Sequence, residues 1–540
     1  MPDLPTITLD TTLADLYRRA CPKQADKRIA QVLCGINSCA ELSAGVPRNA
    51  KYLYQDTPFN TVPPDESCSG PADEDEERRQ RRQLAVKYLS LIPQRDAFIS
   101  GDTAVVLFHI DETEGQKAHD RREARRTMSA LAASQRPDLV FCAGPSAIPV
   151  KEEGIDAIAY KLVLDGLEGY NLIVPPDTHW FLNSKAALAR SGLPTPGATI
   201  IEVDGVADEA RLCCAPCAGD AAGFVIPPAC AGPRGRWFEA QRDGILAALA
   251  SSPLPFVLKN QQTFGGAGTY VVRTEEERGK LVADLRGGVL RRLLSSVTEA
   301  NAHLRPAALV LSDLVEDPVG DYGLTFFVTD ADGGAPIFLA ASEQLTDDVN
   351  AWIGSTINYA RQDELKRKFG PLVEKIAAWL RGHNYVGPAG ADVLETAPLK
   401  DGKPGTDGRT TNGSTAGGQK TNGRTNGDRA EPEQDFSRFH VVDLNVRTSG
   451  SLCLPLLRRH FTSRGLMSGS SFSISCRQGR DAFIASFRDD FSSGRMCIVS
   501  WYEDPATGVS FADVAVGAED ERGLRRAMQR VRDATEQVTF

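Results

Sequence analysis

Residues Phe256-Val257-Leu258-Lys259-Asn260-Gln261-Gln262-Thr263-Phe264-Gly265-Gly266-Ala267-Gly268-Thr269-Tyr270-Val271-Val272 decide the reading of this chain. An apolar strand ends in lysine, a glycine-rich turn follows, and a second apolar strand returns. Glycines expose backbone N–H groups and let a chain approach a ligand closely. A lysine at the strand end supplies a point charge for phosphate oxygens. A hairpin of this kind can close over polyphosphate. The stretch is not a P-loop, because no Gly-Lys-Ser/Thr follows and no helix opens after the glycines. It is not a dinucleotide fingerprint, because the loop joins two strands. An ordinary glycine-rich hairpin with an incidental lysine is the competing reading.

Two flanking segments answer to it further along. Val386-Gly387-Pro388-Ala389-Gly390-Ala391-Asp392-Val393-Leu394-Glu395 and Phe439-His440-Val441-Val442-Asp443-Leu444-Asn445-Val446-Arg447 both read as strands. Alternation puts Asp443, Asn445 and Arg447 on one face. If the two segments pair, Asp392 lies opposite that group. Two carboxylates and an amide oxygen suit Mg²⁺, which takes hard oxygen ligands and keeps phosphate oxygens in its shell. Between the segments, Lys400 to Glu433 is rich in Gly, Thr, Asn and Asp and repeats Thr-Asn-Gly at 411, 421 and 425. Such a composition cannot bury a core and predicts disorder. It reads as an insertion at a hairpin tip, where length costs little; an interdomain linker is the alternative.

Before the lysine hairpin, Ala104–Ile110, Leu139–Ala143 and Tyr170–Val174 are strand candidates and Lys117–Ser134 a helix, a pattern of a small parallel α/β layer. Leu13 to Cys39 carries helical periodicity, and Asp73 to Gln83 is a solvated helix or linker. Trp180 to Arg190 reads as a helix carrying Lys185. Ala308–Leu311 and Leu324–Val328 read as strands, and Asp363–Arg381 as an amphipathic helix. Phe472–Cys476 and Met496–Trp501 are strand-like, and Ala518–Val538 is helical.

Taken together these elements resemble the ATP-grasp superfamily from about Trp180 to Phe461. His179 to Lys185 with Gly192-Leu193-Pro194-Thr195-Pro196 is similar to its opening segment, and Lys259 with Gly265, Gly266 and Gly268 to its second lysine and lid. Leu309 to Pro318 is similar to the hinge that holds adenine. Asp392 and Asp443 to Arg447 are similar to its metal strands and arginine, with aspartate where glutamate is usual. Within the superfamily the nearest likeness is to large fungal proteins linked to specialised metabolism. The resemblance implies an α/β and α+β architecture: residues 1–178 with an α/β domain clearest from about 100, an ATP-grasp domain over 179–465 with the insertion at 400–433, and a C-terminal accessory segment over 466–540. It implies a ligase that activates a carboxylate as an acyl phosphate for attack by an amine or other nucleophile. ATP and Mg²⁺, with Mn²⁺ a second fit, are the implied cofactors. Lys185, Lys259, Gly265, Gly266, Gly268, Asp313, Val315 and Gln344 would bind nucleotide. Asp392, Asp443 and Asn445 would hold metal, and Arg447 and Lys259 would act in catalysis. Small-molecule carboxylates and amines, amino acids among them, are the expected partners. A regulatory ATP-binding protein without turnover, or a phosphotransferase, are the alternatives.

Bulk properties allow an enzyme of this size and suggest little else. The chain has 540 residues, 41% apolar and 24% charged, with a net charge of −10. The balance gives no reason to expect nucleic acid or an anionic membrane as partner. No apolar run approaches the roughly 20 residues of a membrane span. Met1-Pro2-Asp3-Leu4-Pro5 lacks signal-peptide character, so the expected location is cytoplasmic. Twelve cysteines are then expected to be free thiols, and the Asn412-Gly413-Ser414 sequon unused. Cys214-Ala215-Pro216-Cys217 has zinc-knuckle spacing, with Cys213 beside it and Cys230 a further candidate. No second C-x-x-C and no nearby histidine completes the pattern, so free thiols on a loop are expected there. Neither Gly-x-Ser-x-Gly nor His-Glu-x-x-His occurs, which leaves triad hydrolase and zincin chemistry without support.

Overall fold

Four short, wholly or largely apolar runs form the first layer. Ile29–Val32 (β1), Ala104–Phe108 (β2), Asp138–Cys142 (β3) and Ala157–Tyr160 (β4) make a parallel sheet in the order β3-β2-β1-β4. Parallel strands are covered on both faces and so lose polar alternation. In β2, Val105 and Leu107 pack with Leu13, Leu16, Ala124 and Met128, while Ala104, Val106 and Phe108 pack with Val86 and Leu89. The chain is a computed structural model that describes residues 4–35, 45–46, 49–55, 71–207, 209–219, 225–263, 266–346, 352–398, 435–505 and 507–537.

Two sequence expectations are corrected in this layer. Tyr170–Val174 is not a strand; it contributes a single bridge, Leu172 to Ile158. The helical periodicity from Leu13 ends at Ala20, because Pro22 cannot continue the helix, and the chain then enters β1. Four-residue strands such as β1 and β4 are too short for a period to declare itself.

Ala198–Ile201 (β5), Phe256–Asn260 (β6), Thr269–Val272 (β7) and Leu309–Asp313 (β8) form an antiparallel sheet ordered β5-β8-β6-β7. Phe256, Leu258, Val272, Leu309 and Leu311 turn to one face. There they meet Phe238, Ile245 and Leu249 of the helix Pro233–Ser251, and Leu290, Leu293 and Leu294 of a second helix. Alternation leaves Lys259 on the other face, toward the large sheet.

That large sheet is antiparallel. Gly320–Val328 (β9), Ile337–Thr346 (β10), Trp352–Asn358 (β11), Gly387–Glu395 (β12), Phe439–Asn445 (β13), Ser468–Cys476 (β14), Met496–Asp504 (β15) and Val509–Ala518 (β16) run in the order β13-β12-β9-β10-β11-β14-β16-β15, with a short β17, Glu536–Gln537, on β14. The helix Gln362–Gly382 buries Leu365, Phe369, Leu372, Val373, Ile376 and Leu380 against Leu324, Phe326, Val393 and Leu444. This packing fixes which sheet face is core and which is free. The segment expected as a C-terminal accessory supplies β14–β17 and is hydrogen-bonded to β11 through Gly354–Asn358. The helix Glu521–Ala534 covers it with Leu524, Ala527, Met528 and Val531. No helix among the described residues is long and apolar enough to cross a membrane.

The strands either side of the expected insertion are direct neighbours. Glu395 pairs with Phe439, and Thr396 N–H donates to the Arg438 carbonyl at 2.9 Å. Residues 399–434, where the insertion falls, lie outside the described residues. Replacing 399–434 by a short Asn-Gly turn is therefore expected to leave the melting temperature within a few degrees of wild type. Thermal melts of the two proteins check this; a large drop would show that the segment contributes to the fold.

Candidate active site

The register of β12 and β13 sets the site. Asp392 stands directly opposite Asp443, and Gly390 opposite Asn445, on the face turned away from the helix Gln362–Gly382. Directly opposed residues in an antiparallel pair interact strongly, and like charges there repel. Asn445 Nδ2 donates to Asp392 Oδ2 at 3.4 Å. Next along the chain, Arg447 donates to Asn445 Oδ1 at 2.7 Å and to Asn183 Oδ1 at 3.1 Å.

Both lysines reach this face. Lys185 Nζ donates to Asp443 Oδ1 at 2.5 Å, and Lys259 Nζ donates to the Val442 carbonyl at 2.7 Å. One segment locates them both. Just past Lys259, the Gln261 carbonyl accepts from Lys185 N–H at 3.2 Å, and Gln261 Oε1 accepts from Ala186 N–H at 3.0 Å. The expected single helix over Trp180–Arg190 is two, Pro176–Leu182 and Lys185–Ala189, broken at Asn183-Ser184. Ser184 caps the second helix by accepting from Ala187 N–H at 3.2 Å. The break points Asn183 at β13: its Oδ1 also accepts from Val446 N–H at 3.0 Å.

The glycine turn has a steric reason. Gly268 sits at φ +64°, and a β-carbon there would lie 2.9 Å from the Asn260 side chain. Gly266 is also left-handed, at φ +83°. Gly265 lies outside the described residues.

The remaining nucleotide candidates stand farther off. Asp313 ends β8, is exposed, and its N–H donates to the Gly197 carbonyl at 2.8 Å. Val315 is half-buried in the connection between the two antiparallel sheets. Gln344 lies on β10, paired with Ser355 of β11 and two strands from Asp392.

Charge is unevenly balanced across the site. Burial, with Asp443 and Asp321 nearby, pushes the Asp392 carboxyl up to about 7. Burial acts against the Asp443 charge too, but Lys185 and Lys259 outweigh it and hold its carboxyl below the ordinary value. Burial lowers Lys259, and Lys185 adds repulsion. Burial also lowers Arg447. The result is a group of acidic and basic side chains held close and desolvated, an arrangement that makes a functional-site candidate.

Three contributors escape a reading of the sequence. Asp321 on β9 is two residues from Gly323, which pairs with Asp392, and so shares its face of the sheet; its carboxyl is raised by burial. Asn183 braces Arg447. Asp96, in the N-terminal layer, accepts at 2.5 Å from both Thr448 Oγ1 and Lys161 Nζ, so the residue after Arg447 is tied to the parallel sheet's side of the molecule. Only pairing register and tertiary contact bring these three to the site.

No family model and no curated protein matches the chain. Solved structures similar to it include N5-carboxyaminoimidazole ribonucleotide synthetase from Thermus thermophilus, at 12% identity over 83% of this chain and 97% of that one, TM-score 0.43. Carboxyaminoimidazole ribonucleotide synthase from Aspergillus clavatus, complexed with ATP, is 10% identical over 94% and 98%, TM-score 0.43. L-amino acid ligase from Bacillus licheniformis is 9% identical over 95% and 99%, TM-score 0.42.

Proposed function

We propose that the protein is an ATP-dependent ligase of the ATP-grasp kind, which activates a small-molecule carboxylate as an acyl phosphate and passes the acyl group to an amine. One observation carries the reading: two lysines, two aspartates, an asparagine and an arginine converge on one cleft from two facing sheets and the helix between them. That set binds and neutralises a phosphorylated nucleotide and steadies a transferring phosphoryl group; it contributes position and charge rather than a covalent step.

Lys185 and Lys259 rest on protein oxygens and can exchange those contacts for phosphate oxygens. Gly266 and Gly268 would allow the β6–β7 turn to approach them, and Gly265 is a nucleotide-binding candidate from the sequence alone. Asp313 and Val315, in the strand end and connection between the sheets, would face the base through their backbone, and Gln344 the ribose or substrate. The donor set fits a divalent cation, because Asp392 and Asp443 are opposed carboxylates whose mutual repulsion such an ion relieves. Asp392, Asp443 and Asn445 would hold Mg²⁺ or Mn²⁺, which supplies charge neutralisation at the phosphates. Arg447 presents a planar fork suited to a carboxylate or phosphoryl group, and Asn183 keeps that fork in place.

The bond changes follow. A carboxylate oxygen attacks the γ-phosphorus, the bond to the β-phosphate oxygen breaks, and ADP leaves. The amine then attacks the acyl carbon and phosphate leaves with the original carboxylate oxygen. A screen of carboxylates against amines, amino acids first, with Mg²⁺ and ATP should find ADP release that requires both partners. With the productive pair, ¹⁸O from the carboxylate should appear in phosphate. Label in AMP would overturn the reading, and ADP formed with a phosphorylated acceptor but no joined product would replace it with a phosphotransferase.

A further inference from the structure

Far along the smaller sheet's helical side, four cysteines come together. Cys213 ends the short helix Ala210–Cys213, Cys214 precedes and Cys217 lies within Ala215–Gly219, and Cys230 precedes the helix Pro233–Ser251. Cys230 Sγ lies 3.6 Å from Cys213 Sγ, 3.6 Å from Cys214 Sγ and 3.3 Å from Cys217 Sγ. All four sulfurs fall within 4.8 Å of one another, and none is in a disulfide. Among the described residues this is the group of three or more His, Cys, Asp or Glu side chains with ligand atoms so close.

We propose that these four thiolates form a structural zinc site. Zinc–sulfur bonds of about 2.3 Å in a tetrahedron put the sulfurs about 3.8 Å apart, close to the spacings here. Four thiolates with no carboxylate, imidazole or open position suit zinc held for structure rather than for catalysis. The surroundings are shaped around sulfur. A β-carbon at Gly232 would lie 2.5 Å from Cys213 Sγ, and one at Gly235 3.3 Å from Cys230 Sγ, so the backbone wraps the cluster at both places. The Arg234 backbone favours the thiolate of Cys213, the Cys217 backbone that of Cys214, and the Arg234 side chain that of Cys217. Such donors orient thiolates and offset the negative charge that four of them carry around one dication. Cys213, Cys214 and Cys217 lie midway along the connection from β5 to the helix Pro233–Ser251, and Cys230 stands just before that helix. The site pins that connection to the helix start, while Cys230 and Trp237 pack against the core beneath Phe256 and Leu258. This site is distinct from the carboxylate pair and does not depend on the ligase reading. It takes up the zinc alternative raised by the C-x-x-C spacing; the four cysteines themselves carry no disulfide.

Elemental analysis of the full-length protein, purified under reducing conditions, should give one zinc per chain. A mercurial should release that zinc as four thiols react. Replacement by Co²⁺ should give visible ligand-field bands with intense thiolate charge transfer in the near ultraviolet. Cys217→Ser and Cys230→Ser should lower bound zinc to background, while Cys476→Ser keeps it. The wild-type readings stand even if a variant fails to fold. Zinc-free protein that also fails to take up added Zn²⁺, iron in place of zinc, a cobalt spectrum without charge transfer, or a disulfide among these four cysteines in fresh protein would each overturn the proposal.

Discussion

Lys259→Met is expected to lower ATP turnover by about 100-fold or more while moving the melting temperature by only a few degrees. The side chain is part-buried, its charge is disfavoured by burial, and its ammonium rests on the Val442 carbonyl. Removing a desolvated charge and keeping an apolar stem of similar length costs the fold little. In the proposed function the same charge meets phosphate. Asp443→Ala behaves differently. It strips the partner from Lys185, whose side chain is only 7% exposed, and stranding a buried charge costs about 3–5 kcal/mol. Asp443→Ala therefore loses both activity and stability, whereas Lys259→Met loses activity alone. ADP-release assays beside thermal melts check the pair. Near-normal turnover in Lys259→Met would remove the ligase assignment.

Asp392→Asn is expected to abolish turnover and yet stabilise the ligand-free protein above neutral pH. The folded chain holds the Asp392 proton up to about pH 7, against an ordinary value of 3.8. Between those values the unfolded chain binds fewer protons, so stability falls as pH rises through the window and the penalty is complete above it. Asparagine has no charge to bury. At about pH 8 the variant should gain about 1–2 kcal/mol, discounted because Asp443 shares the repulsion; at about pH 4 the difference should shrink. Mg²⁺ and ATP together should raise the melting temperature of wild type and not of the variant. Identical melting curves for both proteins from about pH 4 to 8 would refute this account of the charge.

The parts of the site readable in advance were those with a local signature. Lys259 ends an apolar strand before a glycine turn. Asp392 and Asp443 sit in strands whose alternation places them, and the intervening tract announces itself by composition. Their juxtaposition then follows from pairing two neighbours. Asp321 has no such signature: it reaches Asp392 only because β9 pairs with β12 across a long stretch of chain. Asn183 looked like one more polar residue in a helix, and only the break before Lys185 gives it a role. β1 is a four-residue strand with a buried glutamine, Gln31, at its centre, and neither its length nor its pattern separates it from the helix before it. The four cysteines were visible as spacing, but a C-x-x-C with no second pair is silent about whether its sulfurs converge.

The path of the large sheet has a consequence for how the chain can be cut. Along it, β13 and β15 are the ends, and β11 is paired on both sides, to β10 and to β14. A truncation near residue 465, where the proposed ATP-binding region ends, keeps every candidate catalytic side chain. It also bares the Gly354–Asn358 flank of β11 and uncovers the apolar surface on which β14 and its helix close. An unpaired edge of that kind is a template for adding strands from other molecules. The last 75 or so residues thus act as a molecular selvedge, and a trimmed protein is expected to reach the insoluble fraction before its activity can be asked about.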